Sequence, residues 1–253
     1  PSPTRSAGKR GLSYNDATLT QLFSLSCGSK ASKVNWAYNW WSGYYASGTP
    51  QSGLSTVVTY IPMLWSAASD LTSIWNTNVQ TAIAAGTDAV LAFNEPDGCS
   101  DGGSCMDIPS AVAGYKQWMN PLAGQVRLGA PAVTNGGSPM GLTYLSNFLG
   151  NCTSCQVDFI PIHWYNDASQ IADFKSQVQN AYSIGGGRPL WITEFGCTSG
   201  TEAQIETFMK AALTWLDGLS YVERYAWFMD GPGYLVNSNG SGLSPLGLIY
   251  DTY

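Results

Sequence analysis

Residues 189–229 read PLWITEFGCTSGTEAQIETFMKAALTWLDGLSYVERYAWFM. Two short apolar runs, PLWITEFG (189–196) and VERYAWFM (222–229), enclose a segment of different period. The runs are short and rich in β-branched and aromatic residues, which predicts strands. Between them Ile205, Phe208, Met209, Ala212 and Leu216 fall on one stripe. That spacing predicts a helix over 201–217, starting near Thr201 and stopping at Gly218. Strand, helix, strand is the unit of a parallel sheet with helical crossovers.

The same rhythm runs through the chain. Strands are predicted at 9–15, 33–40, 56–64, 89–96, 126–133, 157–165, 189–196 and 222–229, from runs such as KVNWAYNW, TVVTYIPML and VDFIPIHWY. Further helices are predicted at 70–85, capped by Asp70 and ended by Gly86, and at 110–120, begun by Ser110 after Pro109. Eight such units in 253 residues predict an α/β fold, a (β/α)8 TIM barrel in a single domain, 1–253. An open dinucleotide-binding sheet would place a glycine-rich turn after the first strand, and GLSYNDAT has none. Residues 231–244 read as the loop after strand eight, and LSPLGLIYDTY as a closing helix or strap.

Composition narrows the function. Charged residues are 11% of the chain and aromatic residues 13%, with ten Trp and a formal charge of −6. No basic cluster appears, so neither nucleic acid nor an anionic membrane is an expected partner. No apolar run has the length of a spanning helix. The start, PSPTRSAGKRG, carries neither Met nor a signal peptide and reads as mature or trimmed. Cys99/Cys105 and Cys152/Cys155 are close pairs that read as disulfides; Asn151 and Asn239 head Asn-x-Ser/Thr triplets. Together these features predict a secreted protein. Cys27 falls at the bottom of the barrel and Cys197 at the top, so their pairing is not expected.

In a barrel of this kind the chemistry sits at the C-terminal ends of the strands. Glu95 ends strand four and Glu194 ends strand seven; Asp97 and Asp230 lie nearby. A carboxyl at the end of a buried strand is costly unless it has a partner or a role. Two of them facing across the mouth suit cleavage of a glycosidic bond, one as acid and one as nucleophile, about 5–5.5 Å apart for retention of configuration. The charge of Glu194 is expected to raise the pKa of Glu95. His163, the one histidine, lacks the Gly-x-Ser-x-Gly elbow of a serine hydrolase and is expected to support this site. No metal and no cofactor is expected. Trp40, Trp41, Trp65 and Trp164 fall at strand tops, where an indole face can stack on a pyranose. Trp75, Trp118 and Trp215 fall on helices and read as packing.

The motifs FNEP (93–96), WITEFG (191–196), VNWAYNW (34–40), YIPMLW (60–65), CQVDFIPIHWY (155–165) and YAWF (225–228) together resemble glycoside hydrolase family 128 of clan A, over about residues 9–250. The resemblance implies a retaining endo-β-1,3-glucanase. It implies Glu95 as general acid/base, Glu194 as nucleophile, and Asn94 on the 2-hydroxyl of the sugar being cleaved. It implies that His163 and Tyr165 hold Glu194 and that sugar, and that Trp227 lies beneath it. Asn39, Trp40, Trp65 and Trp164 complete the expected substrate-binding set. The expected partner is a β-1,3-glucan polysaccharide or oligosaccharide, met by a monomer. A β-1,4-glucanase, a mannanase and a non-catalytic glucan-binding protein are the competing readings.

Overall fold

A computed structural model describes residues 8–23, 31–45, 53–100 and 102–253. Its strands are β1 (Arg10–Tyr14), β2 (Val34–Tyr38), β3 (Thr59–Tyr60), β4 (Ala89–Val90), β5 (Arg127–Leu128), β6 (Ile160–Asp167), β7 (Leu190–Ser199) and β8 (Val222–Asp230). The main helices are α1 (Ser69–Ala84), α2 (Ile108–Gly114), α3 (Gly141–Asn151), α4 (Ile171–Ile184), α5 (Glu202–Gly218) and α6 (Pro245–Thr252).

Six strands form a continuous sheet in the order β3-β2-β1-β8-β7-β6, and β4 pairs with β5. The parallel bridge Met63↔Leu91 joins β3 to β4, while Gly129↔Phe159 and Val133↔Ile162 join β5 to β6. The ring therefore closes as an eight-stranded α/β barrel. Strands three, four and five are shorter ladders than their apolar runs predict. Pro62 and Pro131 have no N–H to donate, so pairing there continues through single bridges and bonds such as Leu91 N–H to the Pro62 carbonyl, 2.8 Å.

The inside of the barrel is filled by Trp36, Tyr38, Ile61, Met63, Ala89, Leu91, Phe159, Trp191 and Ala226, all buried. Successive members on one strand are two residues apart, the period of a strand facing one way. Two of the large rings need a glycine opposite. A Cβ on Gly11 would lie 2.1 Å from the Trp36 indole, and one on Gly129 would lie 2.8 Å from the Phe159 ring. At the bottom, Arg10 is 2% exposed. Its guanidinium donates to Tyr225 Oη, the Tyr250 carbonyl and Asp217 at 2.7–2.9 Å. The closing helix α6 is thereby tied to β1 and β8, as the tail was expected to do.

The helix ends follow their capping chemistry. Thr201 and Gln204 form a reciprocal capping box on α5. Asp70 does not cap α1: the cap position is Ala68, and Asp70 sits in the first turn, where its charge still favours the helix dipole. Helix α2 starts earlier than Ser110, because the Asp107 carboxylate accepts from the Ser110 N–H. Disulfides join Cys99 to Cys105 and Cys152 to Cys155. Cys27 lies outside the described residues, and Cys197 has no disulfide partner among them. No helix among them is long and apolar enough to cross a membrane.

Candidate active site

Glu95 and Glu194 meet at the C-terminal mouth of the barrel. A carboxylate oxygen of each and a ring nitrogen of His163 lie within 4.8 Å of one another. Glu95 reaches this place from a backbone at φ 42°, a left-handed conformation uncommon for a residue with a side chain. Its N–H donates to the Ala132 carbonyl at 2.8 Å, and its carbonyl accepts from Gly98 at 3.0 Å. Glu194 reaches it through an irregularity in β7. Ile162 pairs with Ile192, but the next residue, His163, pairs with Glu194. Thr193 is thus the extra residue of a bulge, and the bulge turns Glu194 inward.

The nucleophile candidate is held by three donors. Tyr165 Oη donates to Glu194 Oε2 at 2.6 Å. The indole Nε1–H of Trp40 donates to Oε1 at 2.6 Å, and Tyr38 Oη approaches the same oxygen at 3.3 Å. Burial and the neighbouring carboxylate push both phenols up, so they stay protonated and donate. Trp40 also has a left-handed backbone, φ 58°. Such strain clusters where a side chain must be aimed.

His163 is fully buried between the two glutamates. Its Nδ1 lies 2.7 Å from Glu95 Oε1, and its Nε2 lies 2.9 Å from Thr193 Oγ1 and 3.5 Å from Glu194 Oε1. Burial alone pushes the imidazole down, but the charges of Glu194, Glu95 and Asp97 and the Glu95 hydrogen bond outweigh it and leave it raised. Burial pushes Glu95 up, but the hydrogen bond and charge of His163 outweigh that and hold it below its ordinary value. This reverses the rise expected from a neighbouring carboxylate: the proton that His163 brings between the two glutamates outweighs their repulsion. The three side chains converge as metal ligands would, yet His163 and Glu194 are already engaged by Thr193, Tyr165 and Trp40, and Glu95 by His163 itself.

Asn94 is 5% exposed. Its Nδ2 donates to the Gly102 carbonyl at 3.1 Å, and its Oδ1 is buried without a partner among the described residues. Asp97 is no catalyst in this geometry: it accepts from Thr134 N–H, Thr134 Oγ1 and Gly141 N–H and ties two loops together.

Several residues expected to bind substrate lie elsewhere. Trp164 is fully buried and faces outward, stacked on Phe208 at 5.2 Å and 4°, with its N–H on Asp173. Trp227 also faces outward, edge-on to Phe195 at 5.1 Å. Strand alternation is the reason: His163 and Tyr165 point inward, so Trp164 between them cannot. On β8 the inward residue beyond Ala226 is Phe228, absent from the substrate-binding set expected from the sequence. Its half-buried ring stands 5.8 Å from Trp40, 5.7 Å from Tyr165 and 5.8 Å from the exposed Tyr234. Asn39 spends its amide on the Gly43 carbonyl and the Tyr60 hydroxyl, shaping the loop after β2. Trp65 and Trp40 are half-buried at the rim, packed on the interior cluster.

This geometry has known counterparts. Residues 11–250 match the model of the glycosyl hydrolase catalytic core. Over 98% of its length the chain superposes, with a TM-score of 0.85 and 37% identity, on 99% of a GH128 subgroup III curdlan-specific exo-β-1,3-glucanase from Blastomyces gilchristii, solved with glucose. The chain belongs to glycoside hydrolase family 128. A subgroup IV endo-β-1,3-glucanase from Lentinula edodes matches with a TM-score of 0.79 and 27% identity, covering 97% of this chain and 100% of that one. A subgroup I endo-β-1,3-glucanase from Amycolatopsis mediterranei, solved with laminarihexaose, matches with a TM-score of 0.71 and 29% identity over 96% and 98%. Alkali-sensitive linkage protein 1 of Schizosaccharomyces pombe is 35% identical over 96% of this chain. The chain spans 44% of that protein's length. The three family 128 glucanases share the barrel on which Glu95 and Glu194 stand.

Proposed function

We propose that this family 128 protein is a retaining β-1,3-glucanase in which Glu95 is the general acid/base and Glu194 the nucleophile. One observation carries the reading: the two carboxylates approach within 4.8 Å across the mouth, from β4 and β7. That is the short spacing of double displacement, not the roughly 6.5–9.5 Å that leaves room for an attacking water. The bond specificity rests on the three family 128 structures, all β-1,3-glucanases.

In the first step Glu194 attacks the anomeric carbon while Glu95 gives its proton to the departing glycosidic oxygen. A glycosyl ester on Glu194 and a shortened glucan result. In the second step Glu95 takes a proton from water, the water oxygen bonds to the anomeric carbon, and the Glu194 carboxylate leaves. The proton for the first step resides in the 2.7 Å bond between Glu95 and His163. Once Glu194 is esterified its negative charge is gone, His163 loses its main support, and Glu95 is freed to act as base. Phe228 forms the floor beneath the reacting sugar, in the place first given to Trp227.

The mode of attack is taken as exo, against the internal cleavage expected from the sequence, because identity with the exo-acting relative is 37% and with the endo-acting ones 27% and 29%. Residues 1–253 act as one catalytic domain, as a monomer, in an extracellular or cell-wall setting. The disulfides support that setting.

The test is sugar release from linear β-1,3-glucan, β-1,4-glucan and mannan. Glucose released from the first alone, with the β-anomer appearing first by proton NMR, is the expected result. A ladder of oligosaccharides marks internal cleavage. Faster cleavage of β-1,4-glucan or mannan, or an α-anomer, overturns the assignment.

A further inference from the structure

After Gly98, the sequence places only Ser100, Asp101, Gly102, Gly103 and Ser104 between Cys99 and Cys105, with no apolar side chain to bury. Nothing hydrophobic can order this turn. Yet it reaches the catalytic strand end at several points. The Gly102 carbonyl accepts from Asn94 Nδ2 at 3.1 Å, and Ser104 N–H donates to the Asn94 carbonyl at 2.9 Å. Cys105 N–H donates to the Gly98 carbonyl at 3.1 Å, and Gly98 N–H to the Glu95 carbonyl at 3.0 Å. The fold of the turn is tight. A Cβ on Gly103 would lie 2.2 Å from the Gly98 oxygen, and Cys105 is left-handed at φ 49°. The Cys99–Cys105 disulfide, with 4.4 Å between Cα atoms, is the covalent tie that closes it.

Asn94 has one amide and two jobs. With Nδ2 given to Gly102, the amide plane is set, and Oδ1 is left buried without a partner among the described residues. A buried acceptor in this state is costly until a donor arrives. Resting on the reading of the site as a β-1,3-glucanase, we propose that the disulfide-closed turn is a positioning device for Asn94. It holds the amide so that Oδ1, and not Nδ2, meets the 2-hydroxyl of the sugar being cleaved. Cys99 and Cys105 are then positioning residues for 2-hydroxyl recognition, acting through Gly102. The frame of the loop does not depend on them: Asp97 is separately bonded to Thr134 and Gly141, and Met106 N–H to the Pro96 carbonyl at 2.9 Å.

The experiment uses an aryl β-1,3-glucotrioside and its analogue lacking the 2-hydroxyl on the non-reducing terminal sugar, the one an exo-acting glucanase removes. In the pair Cys99→Ser with Cys105→Ser, kcat/KM for the parent trioside is expected to fall about ten- to a hundredfold, as for a small misplacement of a binding group, while the deoxy analogue stays within about twofold of its wild-type value. Equal losses on both substrates, or no loss on either, overturn the proposal. Asn94→Asp keeps an acceptor but cannot donate to Gly102, and leaves the disulfide intact. It is expected to show the same selective loss, and the cysteine substitutions are expected to add nothing in its background. Additive losses overturn the proposal, and if the cysteine pair fails to fold, the selectivity of Asn94→Asp alone decides. A wild-type chain that cleaves neither trioside overturns the glucanase reading, and this proposal with it.

Discussion

His163 Nδ1 stands 2.7 Å from Glu95 Oε1, and the same imidazole reaches Glu194 with its other nitrogen at 3.5 Å. One buried ring thus couples the proposed acid to the proposed nucleophile. The imidazole is raised and Glu95 is lowered, so the pair holds its proton between them. For stability the two signs differ. The raised His163 contributes fully below its unfolded value, and that contribution is lost as pH rises through the folded one. The lowered Glu95 contributes above its unfolded value and loses it as pH falls through the folded one. The pair therefore stabilises the fold most between the ordinary carboxylate and imidazole values, about pH 4.5 to 6.5.

The first prediction is that His163→Gln moves the alkaline limb of the kcat/KM profile to lower pH. The proton then rests on a carboxyl alone instead of on a raised imidazole. The rate at the optimum is expected to fall about ten- to a hundredfold, the scale of a displaced catalytic group. An alkaline limb that stays where it is in wild type would show that His163 takes no part in holding the proton.

Trp40→Phe keeps an aromatic ring and removes only the N–H on Glu194 Oε1. Without that donor the carboxylate becomes a poorer leaving group from the glycosyl ester. Breakdown of the ester is expected to slow about tenfold, the worth of a hydrogen bond to a charged group. With an activated aryl glycoside the intermediate should accumulate, visible as a burst by rapid quench. Unchanged turnover would return Trp40 to a simple wall of the cleft.

Phe228→Ala and Trp164→Ala separate the two faces of the barrel wall. Phe228→Ala is expected to lower kcat/KM by about tenfold or more through loss of a stacking face, with little change in melting temperature. Trp164→Ala is expected to cost about 3–5 kcal/mol of stability, because the ring is fully buried against Phe174 and Phe208. Steady-state kinetics and thermal unfolding of both variants check this. Reversed effects would restore the substrate-stacking role first given to Trp164.

Asp230 ends β8 with both carboxylate oxygens buried and no partner among the described residues. Burial, with the charge of Asp16 adding to it, pushes this carboxyl well above its ordinary value. The folded chain then keeps a proton that the unfolded chain releases. Stability attributable to this group falls as pH rises from the unfolded value toward the folded one. Asp230→Asn has no such proton to lose. It is expected to unfold later than wild type at neutral and alkaline pH, by roughly 1–3 kcal/mol, and to match it in strong acid. Identical melting curves across the pH range would mean the carboxyl is satisfied in the folded chain.

Much of this protein was legible in the order of its residues. The alternation of apolar strands with helices such as α5 follows from local periodicity, which needs no distant partner. The barrel, the two glutamates at strand ends and the two close cysteine pairs followed from position along those strands. Even the mistaken tryptophans were correctable, because interior parity on β2, β3 and β8, Trp36–Tyr38, Ile61–Met63 and Ala226, extends to Trp40, Trp65 and Phe228 and skips Trp227. What parity could not give is Glu194. It stands three residues after the inward Trp191, and strict alternation would turn it away from the mouth. The bulge at Thr193 reverses that, and a bulge is decided by how β6 and β8 pair with β7 across the sheet. The charge states follow the same rule. His163 and Glu95 are 68 positions apart, and only the closure of the ring sets one against the other. Periodicity along the chain placed the two glutamates at the mouth; pairing between strands aimed them at each other.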